Sequence, residues 1–252
     1  MTNKVLVVTG GSRGIGAATA KLAAQRGYAV VVNYAGNREA AESVCQAITD
    51  GGGTAVAVQG DVGIPADIDR IFAAADDLGT LAGLVNNAGI VGVAEPVEQM
   101  SVERLTRMFA VNITGSFLCA KAAIKRMSTR HGGQGGGIVN LSSAAAKLGA
   151  PNNYVDYAAS KGAIDTFTVG LAQEQAEAGI RVNGVRPGII DTDIHSSGGD
   201  PDRAQKMSSV VPMKRPGTAE EVANAIMWLL SDEASYVTGT TLTVSGGRAI
   251  LP

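Results

Sequence analysis

The sequence predicts an α/β fold, a doubly wound parallel sheet of seven strands with helices on both faces, in one domain spanning residues 1–252. Three observations predict it. Apolar strand-like runs alternate with amphipathic helical ones along the whole chain. The strand-like runs are almost continuously apolar, as strands covered on both faces must be. The first of them passes through a glycine-rich turn directly into a helix-forming stretch.

Taken in order, Val5-Leu6-Val7-Val8 is β-branched and aliphatic, which suits a buried strand over 5–9, and Thr9-Gly10-Gly11-Ser12-Arg13-Gly14-Ile15-Gly16 follows it. Residues 15–25 are rich in Ala, Leu and Lys, good helix formers, and Gly27 stops them. The same alternation predicts strands over 29–33, 55–59, 83–86, 137–141, 181–185 and 241–244. Helices are predicted over 38–50, 66–75, 102–129, 157–177 and 219–231. Right-handed crossovers between parallel strands then put ligand sites at the strands' carboxyl ends. The one long irregular stretch, 189–217, is rich in Ser, Gly, Asp and Pro and follows such an end; long loops of this kind are functional lids or disordered segments. No internal repeat or low-complexity linker divides the chain.

Composition narrows the partners. With 45% hydrophobic residues there is ample material for a core between helical layers. No run of eighteen apolar residues occurs and the sequence enters a strand at once, so the expectation is a cytoplasmic protein, neither secreted nor membrane-spanning. A net charge of −2 with the signs interspersed argues against nucleic acid or an anionic membrane as partner. Cys45 and Cys119 fall on different predicted helices and read as reduced thiols. His131 and His195 have no ligand-spaced neighbours, so no metal site is expected.

Two motifs carry chemistry. In the first turn, Gly10 allows the tight reversal, Gly14 lets a phosphate approach the backbone and Gly16 lets the helix pack close to the sheet. A pyrophosphate would then sit at the positive helix N-terminus. After the second strand, where a dinucleotide fold that prefers the unphosphorylated cofactor carries an acidic residue, the run is Asn33-Tyr34-Ala35-Gly36-Asn37-Arg38. With no carboxylate there and with Arg13 and Arg38 in reach of a 2′-phosphate, NADP is expected over NAD. Each charge-assisted hydrogen bond contributes about 1.5–3 kcal/mol. The second motif is Tyr157-Ala158-Ala159-Ser160-Lys161, which on a helix puts phenol and ammonium one turn apart on one face. On its own such a pair is common on amphipathic helices. As an acid/base pair it requires the phenol's pKa of about 10 to move by roughly 3 units, or about 4 kcal/mol of differential stabilisation, supplied by the ammonium with a cationic ring nearby.

The Gly-x-x-x-Gly-x-Gly spacing, together with Tyr-x-x-x-Lys, resembles the short-chain dehydrogenase/reductase family. Asp61-Val62, Asn86-Asn87-Ala88-Gly89, Asn112, Ser142-Ser143, Pro187-Gly188 and the segment from Gly239 to Gly247 match in the same order, over essentially the whole chain. The resemblance implies a Rossmann fold and a nicotinamide cofactor held by Gly10, Ser12, Arg13, Gly14, Ile15, Gly16, Asn33, Tyr34 and Arg38. It further implies that Asp61 accepts from the adenine amino group beside the Val62 backbone, and that Asn87, Ala88 and Gly89 pass close to the adenosine ribose. Pro187, Gly188, Ile190 and Thr192 would flank the nicotinamide, with Asn86 structural. Tyr157 would be the general acid/base for hydride transfer to or from a carbonyl or secondary alcohol. Lys161 would depress its pKa and bond the nicotinamide ribose.

Within that pattern Ser143, the second of its pair, would donate to the substrate oxygen and Ser142 to the backbone. A loop to Tyr157 one residue longer than usual, around 150–154, keeps both serines in play. Tyr154, with Ala158 four residues on, is the worse acid. Asn112, a mediocre helix former in mid-helix, would hold a water of a proton relay or cap a local kink. The flavour is that of 3-oxoacyl-carrier-protein reductases and glucose 1-dehydrogenases alike. A dinucleotide-sensing regulator on the same fold is the alternative from another class, though such proteins usually lose the Tyr or Lys; a sugar-nucleotide epimerase would need a larger C-terminal domain. The segments 91–95, 144–155 and 189–217, which would line the substrate, are small and mostly neutral, with no carboxylate or phosphate clamp, and Lys147, Lys214 and Arg215 read as surface charges. Helices 102–129 and 157–177 carry more apolar residues than one buried stripe needs, among them Ala120, Ala122, Ala123, Ile124, Phe167, Val169 and Leu171. In the family the corresponding helices, and the last strand with Leu242 and the tail, form interfaces, which implies a D2 homotetramer.

Overall fold

Alternation along the strands sorts the core into two halves. In β1 (Lys4–Val8), Val5 and Val7 face one side of the sheet and Leu6 and Val8 the other, all four fully buried. The computed structural model describes residues 3–192, 198–200 and 202–249. Its seven strands, β1, β2 (Ala29–Tyr34), β3 (Thr54–Gln59), β4 (Thr80–Asn86), β5 (Gly136–Leu141), β6 (Ile180–Pro187) and β7 (Thr241–Val244), form one sheet in the order β3-β2-β1-β4-β5-β6-β7. Every neighbouring pair is parallel. The order reverses between β1 and β4, and that is the crevice where an open parallel sheet takes its ligand.

Helices α1 (Gly14–Gln25), α2 (Arg38–Asp50) and a late helix, Ala219–Leu230, cover the face of Leu6 and Val8 through Ala20, Ala23, Val44, Ile48, Ile226 and Met227. The other face is covered by α3 (Pro65–Leu78) and by the helices of 102–127 and 155–175, through Ile71, Phe72, Cys119, Ala123, Leu171 and Ala172. All seven predicted strands are present, within three residues at each end.

The predicted single helix over 102–129 is three pieces. These are α4 (Val102–Phe109), one turn of π-helix (Ala110–Thr114) and α5 (Gly115–Met127). The wide turn is centred on Asn112, whose side chain leaves the helix to bond the Ile90 backbone, and such turns concentrate at functional sites. Past α6 (Ala145–Leu148), the loop over 150–154 holds two non-glycine left-handed residues, Ala150 at φ 46° and Asn152 at φ 59°. The long helix α7 (Val155–Gln175) then begins two residues before Tyr157. A short α8 (Arg203–Lys206) and the late helix, α9, complete the set among the described residues.

Polar side chains tie these layers where the site will lie. Asn86 at the end of β4 donates to Asn140 Oδ1 on β5 at 2.9 Å and to the Ser116 carbonyl of α5 at 3.1 Å. Asn140 in turn donates to Thr168 Oγ1 of α7 at 3.0 Å. Satisfied, such a buried network fixes the register between layers; broken, it leaves desolvated groups. At the start of α7, fully buried Asp156 receives a two-pronged bond from Arg104 of α4, which also reaches Glu95 at 2.7 Å and so pins the 91–95 segment.

Candidate active site

The glycine turn between β1 and α1 forms a cradle. Gly10 and Gly14 take φ of 60° and 51°, values that a side chain resists. A Cβ on Gly16 would lie 2.3 Å from the Gly10 carbonyl and 2.6 Å from Asn87 Nδ2, so this glycine lets the helix start approach both the turn and the end of β4. The first turn of α1 has no capping side chain and no acidic residue, so its leading amides stay open to an anion. A groove of about 300 Å³ runs beside it, lined by Gly10, Ser12, Arg13, Gly14, Ile15, Asn33, Tyr34, Asp61, Val62, Asn87, Ala88, Gly89 and Thr192. These features fit a dinucleotide phosphate bridge.

Several residues stand otherwise than the sequence suggested. Arg38 is outside this lining: as the first residue of α2 it turns along the helix to Glu42 at 2.6 Å, with its side chain in solvent. Asn33 is fully buried, accepting from the Gly10 amide and donating to the Val58 and Gly60 carbonyls, so its side chain braces the cradle. Asp61 accepts from the Gly63 amide and pairs with Arg107 at 2.6 Å, so it is a turn residue as well as a groove residue. Thr9 went unnoticed in the sequence. Its hydroxyl donates to the Val85 carbonyl and accepts from the Asn87 and Ala88 amides, joining the ends of β1 and β4 at the crevice.

A second cavity of about 670 Å³ opens from the carboxyl ends of β4, β5 and β6, and Ile15, Asn87, Gly89 and Thr192 line both. Ser143, Tyr157, Lys161, Pro187, Gly188 and Ile190 line it as well. The Ser143 hydroxyl neighbours the Tyr157 phenol and favours its ionised form. Ser143 Oγ also accepts from the Ala145 amide at 3.1 Å, which orients the hydroxyl. Ser142 instead donates to the Lys161 carbonyl at 3.2 Å and is buried. Tyr154 lies at the rim, its hydroxyl donating to the Gly198 carbonyl at 3.5 Å.

Lys161 is 4% exposed and its ammonium donates to the Leu141 carbonyl at 2.7 Å, at the end of β5. It stands 5.6 Å from the Tyr157 ring centre. Burial lowers its pKa to about 8, with Asp165 one turn further along α7 opposing the shift. Burial raises the Tyr157 phenol, and the neighbouring Ser143 hydroxyl works the other way. The depressed phenol expected from the sequence is therefore not built by the chain's own groups, because desolvation outweighs the neighbouring hydroxyl.

Asn112 is fully buried. Its Oδ1 accepts from the Ile90 amide at 2.8 Å, and its Nδ2 donates to the Ile90 carbonyl and to Ser160 Oγ, which donates on to the Tyr157 carbonyl at 2.7 Å. The side chain thus clamps the loop after β4 to the first turn of α7. Two cations escaped the sequence reading, which found no anion clamp: Arg203 of α8 and Arg248, just beyond the paired glycines 246 and 247, both line the second cavity. Among the described residues no cluster of His, Cys, Asp and Glu could hold a metal, Cys45 and Cys119 are free, and no helix is long and apolar enough to cross a membrane. His195 lies outside the described residues.

A family model described as Enoyl-(Acyl carrier protein) reductase matches residues 10–249. An uncharacterized oxidoreductase of Escherichia coli (strain K12), YgfF, is 54% identical over 97% of this chain and 99% of its own length. Glucose 1-dehydrogenase 2 of Bacillus subtilis (strain 168) is 41% identical over 100% of this chain and 97% of its own. Among solved structures, a doubly substituted short-chain dehydrogenase/reductase of Serratia marcescens superposes with a TM-score of 0.89 at 33% identity, covering 98% of each chain.

The buried ammonium has a thermodynamic signature. A lysine whose folded-state pKa is about 8 burdens the folded state fully below pH 8. The burden fades as the pH rises toward the unfolded value of about 10.5 and is gone above it. Lys161→Met is therefore expected to raise the unfolding free energy near pH 7, by up to about 3 kcal/mol, with the gain shrinking above pH 9. Urea unfolding at pH 7 and pH 10 measures it; a variant less stable than the parent at pH 7 would contradict the assigned burial cost.

Proposed function

The chain belongs to the short-chain dehydrogenase/reductase family, oxidoreductases that act on CH–OH groups with a nicotinamide cofactor, and from that premise we propose that it interconverts a carbonyl and an alcohol using NADP, with Tyr157 as general acid/base. The observation that supports this most is the meeting of Ser143, Tyr157 and Lys161 on one cavity that shares Ile15, Asn87, Gly89 and Thr192 with the dinucleotide groove.

When bound, the nicotinamide supplies or accepts the hydride. The residues of the chain handle the oxygen and the proton. In reduction, the Ser143 and Tyr157 hydroxyls donate to the carbonyl oxygen, and the phenol proton moves to it as negative charge develops there. A phenol kept protonated by burial suits that direction at neutral pH. In oxidation the proton moves the other way, and the Lys161 ammonium beside the ring is what eases formation of the phenolate. Asn112, through Ser160, holds the turn that carries Tyr157 and acts by positioning.

The preference for NADP rests on the absence of a carboxylate among 33–38 and on Arg13 in the groove lining; Arg38, bound to Glu42, contributes little to it. Incubation with a panel of aldehydes, ketones and sugars is expected to give turnover, with NADPH bound roughly tenfold or more tightly than NADH, as one charge-assisted contact implies. Arg13→Ala should narrow that gap and Arg38→Ala hardly change it. Binding of NADPH with no turnover of any carbonyl would favour a sensing role, and equal affinities would remove the NADP preference.

A homotetramer is supported by apolar groups left on the outer faces of α5, α7 and β7. Phe117 stacks on Phe167 with centroids 3.8 Å apart yet stays 47% exposed, and Val169 and Leu242 are 44% and 37% exposed. Ala120, Ala123 and Leu171 face the protein's own core instead. Light scattering at micromolar concentration should give a mass near four chains; a mass near one would refute the assembly.

A further inference from the structure

The catalytic cavity carries a charge that the reaction does not use. Among the described residues its lining holds no Asp or Glu, yet it holds two guanidinium groups, Arg203 and Arg248. Of the arginines elsewhere, Arg13, Arg26 and Arg181 have no ion pair among the described residues, while Arg38, Arg70, Arg104, Arg107, Arg126, Arg130, Arg186 and Arg215 each have a carboxylate within 3.6 Å. Neither Arg203 nor Arg248 has one among the described residues. Arg248 Nη1 is moreover buried with no hydrogen-bond partner. The other buried guanidinium nitrogen without a partner, Arg186 Nε, belongs to a group already neutralised by Asp165 at 2.8 Å.

Both groups are held in place. Arg203 lies over the Tyr154 ring at 5.2 Å, a cation–π contact that seats it beside the cavity. Gly246 and Gly247, at φ of 59° and 91°, turn the chain back, and the Arg248 backbone is tied to Ser245 through both its amide and its carbonyl. Burial first, and the charge of Arg203 second, pull the Arg248 guanidinium below its ordinary value, so two like charges share one pocket. Holding an unpaired buried donor and two like charges together is costly unless a ligand group neutralises them.

We propose that Arg203 and Arg248 form an oxyanion subsite of the catalytic cavity, so that the natural substrate is a carbonyl compound or alcohol bearing a carboxylate or phosphate. The inference rests on the oxidoreductase reading for its substrate and on the unpaired arginines for its chemistry. A planar guanidinium fork suits both carboxylate and phosphate oxygens. Distance along the substrate from the anion to the reacting carbon is then what the cavity selects.

The test uses matched pairs with NADPH: acetoacetate against methyl acetoacetate, and dihydroxyacetone phosphate against dihydroxyacetone. The wild type is expected to favour the anionic member of at least one pair in kcat/KM, and which pair responds separates carboxylate from phosphate. In Arg203→Gln and Arg248→Gln that ratio should fall about tenfold or more, mainly through KM, with partial rescue by Arg248→Lys. An unchanged ratio in folded variants, or a wild type that prefers the neutral members of both pairs, would overturn the subsite. Calorimetry with inorganic phosphate and acetate gives a reading independent of turnover: binding of at least one anion should be lost in the double variant and kept in Arg13→Gln. Loss in Arg13→Gln alone would assign the anion to the dinucleotide groove and overturn the proposal. Absence of turnover with every carbonyl, with anion binding lost only in the double variant, would sink the oxidoreductase reading and leave the arginine site standing.

Discussion

Much of this site depends on one interaction, the ammonium of Lys161 buried against the Leu141 carbonyl at the end of β5. A cation taken out of water has to be supported, and the support here is a strand-end carbonyl and the field of Asp165, itself paired with Arg186. Tyr157, Lys161 and Asp165 succeed one another at four-residue intervals along α7, so a single helix face carries the phenol, the cation and the countercharge. The cost of that burial brings the lysine's pKa down to about 8, and the ammonium stands 5.6 Å from the Tyr157 ring centre.

Everything around α7 serves to hold that face against the sheet. Asn86, Asn140 and Thr168 link β4, β5 and α7 by buried hydrogen bonds. Arg104 and Asp156 fix the helix start, and the π-turn at Asn112 releases a side chain that clamps Ile90 on one side and Ser160 on the other. On the far side of the crevice, Thr9 and Asn87 lock the glycine turn to the end of β4. The groove beside the glycine turn and the cavity of Ser143, Tyr157 and Lys161 are therefore set against each other by polar contacts within the crevice where the strand order reverses.

How much of this the sequence carried follows from what kind of physics each part obeys. Strands buried on both faces must be apolar, so 5–9 and 29–33 could be read directly, and the glycines of the first turn announce backbone angles that other residues resist. The Tyr157–Lys161 pair was legible because helix geometry alone brings residues four apart together. The break at Asn112 was not, since a π-turn leaves no periodic signal, although an Asn in mid-helix hinted at it. Arg38 misled because proximity in sequence to the second strand does not say where a long side chain turns, and an acid one helical turn away captured it. Arg203 and Arg248 lie 45 residues apart in the numbering, on a one-turn helix and in a tail without periodicity, and only the fold brings them to one cavity.

The central claim is that the proton of the reaction belongs to Tyr157 while the hydride belongs to the cofactor. Reduced nicotinamide carrying deuterium at the transferred position, mixed with a carbonyl substrate, separates the two roles in one experiment. The wild type should deliver deuterium to the product's carbinol carbon. Tyr157→Phe should bind the cofactor within a few-fold of the parent yet form labelled product at less than about a hundredth of its rate, the scale of a lost general acid. Deuterium transfer by the Phe variant at more than about a tenth of the parental rate would contradict the account.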